Sequence, residues 1–278
     1  MEIKATDVKA LREKTGAGMM ECKKALTETN GDAAAAEKLL KEKGLAAVEK
    51  RADRATSEGR IFTKIEGNKA IICELTCETD FVAKNADFIK IGNDIAETAL
   101  AKGYTEVNKE LSDMLLDLAT KIRENMSLRR LEVINLPENS VASSYVHSDG
   151  KTGVITVIST DSADAAANNA VKDFTYDCCL HIAAFTPAFI RREDVDATYI
   201  AEQTEIFKKQ VESLDKPEKV KEGIVQGKVN KHLAEICFLD QPFVKDDKLS
   251  VTKKMEAVAK EVGTKLSLEK VVLYQLGA

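Results

Sequence analysis

Twice along this 278-residue chain, apolar residues alternating around a tight turn give way to a longer stretch with helical spacing. The first instance is "GRIFTKIEGNKAIICELTC", residues 59–77, where Ile61, Thr63 and Ile65 alternate before Gly67-Asn68 and an apolar run follows. Alternation on both sides of a short glycine turn predicts a β-hairpin. A helix is expected from about Asn85 to Lys102, with Phe88, Ile91, Ile95 and Ala99 on one face. The second instance is "SSYVHSDGKTGVITVIST", with Asp149-Gly150 at its turn. It leads into a helix at roughly 163–185 that aligns Val171, Phe174, Cys178 and Ile182. A half-buried hairpin must cover its apolar face, and the helix that follows is the nearest cover. The chain therefore reads as α+β, with a core of two related hairpin-plus-helix subdomains. No residue-level identity links the halves, so the repeat is one of pattern.

The flanks are helical. Residues 1–45 read as three short helices. Val8 and Leu11 mark the first, which "TGAG" breaks. "MMECKKALTETNG" forms the second, stopped by Asn30-Gly31. Asp32 caps the third, which carries Ala36, Leu39 and Leu40 and is expected to end at Gly44. Residues 46–58 read as a helical linker. Residues 59–139 form the first core subdomain, including a further helix near 107–125 with Leu111, Leu115, Leu118 and Ile122. Residues 140–192 begin the second. In 193–239, two helices flank "SLDKPEK" with a thin apolar seam: Ile200, Phe207 and Leu214 on one arm, Val220, Ile224, Val225 and Val229 on the other. So little apolar surface predicts a protruding antiparallel helical hairpin. Residues 240–278 complete the second subdomain with a helix near 250–262 and a strand, "SLEKVVLYQL".

Charge and composition exclude several functions. The formal net charge is −5, which argues against direct nucleic-acid binding, since phosphate neutralisation needs a basic surface. No apolar run approaches the ~20 residues a membrane span needs, and the charged N-terminus reads as neither signal nor transit peptide. Six cysteines lack C-x-x-C or zinc spacing, so reduced, buried thiols in a cytoplasmic protein are expected.

Catalytic motifs are missing. "GIVQGKVN", 223–230, is one residue short of a phosphate-binding loop and lies in a helical run. None of the three histidines stands at metal-ligand spacing from another. Cys178 and His181 lie three apart on one helix and could form a nucleophile–base pair, although Cys178 also belongs to the apolar stripe. The chain reads as a binding protein without covalent chemistry, cofactor or metal.

One stretch sits oddly between strand and helix. In "CETDFVAKNADF", 77–88, Phe81 could plug the core or point outward. The neighbouring Asp80 favours the outward direction, because an unpaired carboxylate is costly to bury.

Several stretches carry a resemblance. "VKALREKTGAGMMECKKALTETNGD" (8–32), "CETDFVAKN" (77–85), "ENMSLRR" (124–130), "HIAAFTPAFI" (181–190) and "QPFVKD" (241–246) resemble, in order and spacing, the signatures of the bacterial elongation factor Ts family. The resemblance spans nearly the whole chain. It implies a ubiquitin-associated-like three-helix N-terminal domain, two related core subdomains and a helical-hairpin insertion. The implied function is guanine nucleotide exchange on elongation factor Tu, bound in its GDP and nucleotide-free states. The implied probe is Thr79, Asp80, Phe81 and Val82, which dislodges Mg²⁺ beside the partner's nucleotide. Phe81 is the wedge, Asp80 engages polar groups, and Thr79 and Val82 support the loop. Arg12, Met19, Met20 and His181 are further implied partner contacts. Met19 and Met20 could equally be core, and His181 a satisfied core histidine. Longer family members carry a C-terminal helix that has no counterpart after "VVLYQLGA". Two rival readings stand beside this one. A peptide-binding adaptor would need only residues 1–45, and a Cys178–His181 hydrolase would be inactivated by thiol reagents.

Overall fold

Three helices open the computed structural model, which describes residues 3–278; Met1 and Glu2, the start of the expected three-helix unit, lie outside it. They are α1 (Ala5–Thr15), α2 (Met19–Glu28) and α3 (Ala33–Glu49). Val8, Leu11, Cys22, Ala25, Leu26 and Ala36 form their shared core. Gly16 ends α1 in the left-handed region, Asn30 and Gly31 follow α2 with positive φ, and Asp32 accepts from the Ala34 and Ala35 N–H groups.

The expected end of the third helix at Gly44 is corrected: α3 runs through it to Glu49, and the expected linker is helical only that far. Gly44 is a contact residue. A Cβ there would lie 2.5 Å from Thr120 Cγ2, so its missing side chain lets α3 lie against the first half of the body.

β1 (Glu58–Glu66) and β2 (Lys69–Cys77) form the first hairpin, turning at Gly67-Asn68 as expected. The chain then makes a single helical turn, α4 (Asp80–Ala83), and continues into α5 (Ala86–Lys102). The single helix expected at 107–125 is two short ones, α6 (Lys109–Asp113) and α7 (Leu116–Ile122), which still bury Leu111 and Leu118. A strand not anticipated, β3 (Met126–Asn135), pairs antiparallel with β2 and completes the sheet β1-β2-β3.

The second half repeats the plan. β4 (Ser140–Val146) and β5 (Thr152–Thr160) form the second hairpin. The expected helix at 163–185 is divided into α8 (Ala163–Ala167) and α9 (Asn169–Phe185), because Asn168 is extended and caps α9 through the Ala170 N–H. α10 (Ala197–Val211) and α11 (Glu218–Ile236) form the antiparallel pair, with Val211, Val225, Val229 and Leu233 in its seam. Leu214 and Val220, near its tip, are exposed. A small unanticipated ribbon, β6 (Pro242–Phe243) and β7 (Asp246–Ser250), precedes α12 (Val251–Val262) and β8 (Leu266–Gln275). β8 pairs with β5 to give the sheet β4-β5-β8.

The two sheets pack face to face through Ile61, Ile72, Ile134, Ile155, Val157 and Val272. Gly153 permits the approach, since a Cβ there would meet Ile61 Cγ2 at 2.4 Å. α5 covers the outer face of the first sheet and α9 that of the second. The central strands are therefore covered on both sides, which is why β2 reads as a continuous apolar run rather than an alternation. One buried carboxylate joins the sheets. Glu74 on β2 accepts from Arg129 and Arg130 on β3 and from the Gly277 N–H just past β8. Burial pushes its carboxyl up, but the Gly277 N–H and the two guanidiniums hold it below the ordinary range.

Candidate functional site

The junction between β2 and α5 is built by two caps in succession. Thr79 takes an extended conformation and its Oγ1 accepts from the Val82 N–H at 3.4 Å, starting α4. Asn85 accepts from the Asp87 N–H at 2.8 Å, starting α5. On a helical turn, successive residues are about 100° apart. Val82 and Ala83 point into the first core, so Phe81 lies roughly 150° from their mean direction and faces solvent. It is 82% exposed, the most exposed large apolar side chain among the described residues. The core-plug reading of Phe81 is thereby corrected; Val82 is the residue that plugs.

The turn is held from behind. Glu124 accepts from both the Thr79 N–H (3.1 Å) and the Thr79 hydroxyl (2.7 Å). Glu78 accepts from the Asn125 N–H at 2.6 Å, and the Asn125 amide donates to the carbonyls of Ala52 and Arg54. Asp80 is half-buried and paired with Lys84 at 2.6 Å; that hydrogen bond holds its carboxyl below the ordinary range. A surface pair of this kind is weak and exchangeable. Phe81 thus stands on a braced frame beside a carboxylate that is free to change partners.

The same support reaches the three-helix unit. Arg123, one residue before Glu124, is left-handed (φ 68°) and pairs with Glu21 at 2.5 Å. Glu21 also accepts from the Gly18 N–H and so fixes the start of α2, where Met19 and Met20 lie. Met19 is 49% and Met20 74% exposed, which corrects the core reading of both; Arg12 is exposed on α1. The turn at Arg123–Glu124 therefore anchors both apolar projections. The sequence alone predicts no role for Glu124, Glu78, Arg123 or Asn125. Glu78, Glu124 and Asn125 lie within matching motifs, whereas Arg123 lies outside them and carries no such signal.

His181 is placed differently. It is fully buried, against Phe185, Phe238 and Phe243 at ring-centroid distances of 4.7, 5.2 and 6.2 Å. The Val244 N–H donates to Nδ1, so the proton sits on Nε2 and is donated to Gln241 Oε1 at 2.8 Å. Burial lowers its pKa below the ordinary 6.5. In the chain by itself the His181 ring is covered, while Phe185, packed against it, and Val244, whose N–H it accepts, are exposed.

The hydrolase reading finds no support. Both nitrogens of His181 are engaged elsewhere, and burial pushes the Cys178 thiol well above its ordinary value, disfavouring the thiolate. Every cysteine is free and buried. Among the described residues, no group of three His, Cys, Asp or Glu side chains could hold a metal ion, and no helix is long and apolar enough to cross a membrane.

Comparison with known proteins agrees on one family. Residues 78–278 match the family model described as elongation factor TS. The chain is similar to elongation factor Ts of Treponema denticola, 63% identical over 277 residues, covering 100% of this chain and 99% of the relative. It is similar to elongation factor Ts of Treponema pallidum at 55% identity, again over 100% of this chain and 99% of the relative. The protein of that name from Borreliella burgdorferi is 38% identical, with 99% of both chains covered.

Proposed function

The chain belongs to the elongation factor Ts family, and on that premise we propose that it is a guanine nucleotide exchange factor for elongation factor Tu, acting in the cytoplasm by binding alone. The observation that carries this reading is Phe81, an aromatic ring held in water on a frame that leaves it nowhere to retreat. Burying such a ring in an apolar slot contributes on the order of 1.5–3 kcal/mol. The frame spends little entropy on docking because Thr79 and Glu124 have already ordered the turn. Phe81 enters the GTPase domain of the partner and displaces the side chains that hold Mg²⁺ and the β-phosphate. Asp80 leaves Lys84 to engage polar groups at that site, and Val82 anchors the turn in the core. Losing Mg²⁺ weakens GDP. The coupling is reciprocal, so an incoming nucleotide weakens the factor's own binding to the same degree.

A single wedge is a small part of a specific interface, which buries about 800 Å² per partner. The three helices form a ubiquitin-associated-like docking module that adds Arg12, Met19 and Met20. In the second half, Phe185 and Val244 supply the contact, and His181 acts beneath them by fixing the segment that carries Val244. We divide the core at 139/140, immediately before β4 begins at Ser140.

The test is stopped-flow release of a fluorescent GDP from elongation factor Tu, comparing the native chain with Phe81→Ala. Acceleration by the native chain, reduced roughly 10- to 100-fold in the variant, is expected from the burial term. Acceleration that survives the substitution sinks the wedge, and its absence with a cognate partner sinks the exchange function.

A further inference from the structure

Between the three-helix unit and α7 opens a cleft of about 750 Å³. That is within the range of small-molecule sites, about 300–1,000 Å³. Its charge is unlike that of the rest of the chain. Acidic residues outnumber Lys and Arg overall, 46 to 41, yet nine Lys and Arg line this cleft against three acids. Four of the nine are neutralised by Glu21, Glu28, Glu37 and Glu78. The remaining five, Lys24, Lys41, Lys50, Arg51 and Lys121, have no carboxylate within 4.0 Å among the described residues. Only Asp117 stands unpaired on the other side of the balance.

Lysines on a surface are ordinary; Arg51 is not. It is only 9% exposed, and its single hydrogen bond runs from Nε to the Ala47 carbonyl at 2.9 Å. Its stem is packed away, while its two Nη groups are not sealed from solvent and have no carboxylate beside them. Most of its donor fork is left unused within the described residues, and it lines the cleft. A guanidinium fork matches the oxygens of a phosphate group in pairs.

We propose that this cleft binds a small anion carrying two or more phosphate groups, with Arg51 as the buried anchor and the four lysines around it. The lining contains no Phe, Tyr, Trp or His. There is therefore no platform for a nucleobase, and the phosphates alone are recognised. Inorganic pyrophosphate and a nucleoside diphosphate compete for the same place with similar affinity. The lack of a stacking surface also counts against single-stranded RNA, which such proteins hold on aromatic rings. A bound anion would cancel repulsion between Lys121 on α7 and the cations of the three-helix unit, tightening the two parts together.

The experiment is calorimetric titration of the full chain with inorganic pyrophosphate at about 50 mM salt, where phosphate contacts are strongest. The expected result is one saturable site, weakened about tenfold in Arg51→Gln and in the double variant Lys41→Gln/Lys121→Gln. GDP should displace pyrophosphate with similar affinity. Lys41 and Lys121 are exposed and glutamine keeps much of their stems, so the double variant decides the question if Arg51→Gln fails to fold. Lack of saturation by about 1 mM, or unchanged affinity in the double variant, overturns the site. Binding of an RNA oligomer that pyrophosphate cannot displace overturns it in favour of a nucleic-acid surface.

Discussion

Phe81 and His181 lie in the two halves of the body, each within a stretch that carries the family resemblance, and they are treated in opposite ways. Phe81 is apolar and stands in water on a braced turn. His181 is polar and sealed among three phenylalanines with both nitrogens satisfied. Each reverses the ordinary preference of its residue type, and each reversal needs support from residues far away in sequence: Glu124 for the first, Gln241 and Val244 for the second. An exposed ring that the fold keeps rigid is surface reserved for contact. A buried polar group that the fold satisfies is scaffold. Membership of a family motif does not distinguish the two.

Substitutions separate the roles. His181→Ala should show the largest effect, a loss of about 3 kcal/mol in denaturant unfolding, from a cavity and from the stranded Gln241 and Val244 groups. A variant as stable as the native chain would break the assignment of His181 to the scaffold. Phe81→Ala should do the reverse. Its exchange defect, worth about 2 kcal/mol, should come with a stability change within about 0.5 kcal/mol, as for a surface site. Gly44→Ala should cost roughly 1–2 kcal/mol through its clash with Thr120. Adding Thr120→Ser, which removes the offending methyl, should restore most of that. Glu124→Gln should lower exchange by a few-fold, about 1 kcal/mol, because it loosens the turn while leaving the Phe81 ring in place. Full activity there would mean the brace is unnecessary.

The smallest effect is a slope. His181 resists protonation when folded, so the unfolded chain binds more protons below about pH 6.5. Stability contributed by the neutral ring is complete above that value. It is lost as pH falls from there toward the lower folded pKa. Unfolding measured between about pH 7 and 5.5 should show a shallower decline in His181→Gln than in the native chain. Equal slopes would mean that His181 is protonated as easily in the fold as outside it.

Much of this architecture was legible because its signals are local. Turns at Gly67-Asn68 and Asp149-Gly150, the cap at Asp32 and the helix start near Asn85 depend on a few neighbouring residues. What escaped depends on distant partners. β3 has the sequence "MSLRRLEVIN", whose charges obscure a strand until Glu74 and Lys270 are present to pair them. Gly44 looks like a helix stop until Thr120 arrives beside it. At the candidate site, the sequence placed Thr79 at the junction of strand and helix but not its cap on the Val82 N–H. The bonds to Glu124 join residues 45 apart and could not be read there either.

The pairing of β5 with β8 carries a consequence for how the protein is made. β1 and β2 are neighbours in the chain, and β3 follows after the short helices, so the first sheet has all its strands early in synthesis. β5 must wait: Thr152 pairs with Gln275, and the whole helical hairpin is translated between them. Contacts of such long sequence separation form slowly, because the intervening loop must first be closed. A nascent chain would therefore present a finished first sheet whose inner face, with Ile61 and Ile72, still lacks its full cover. The Glu74 clamp closes only when Gly277 arrives. Its formation marks the moment when the two halves become one body.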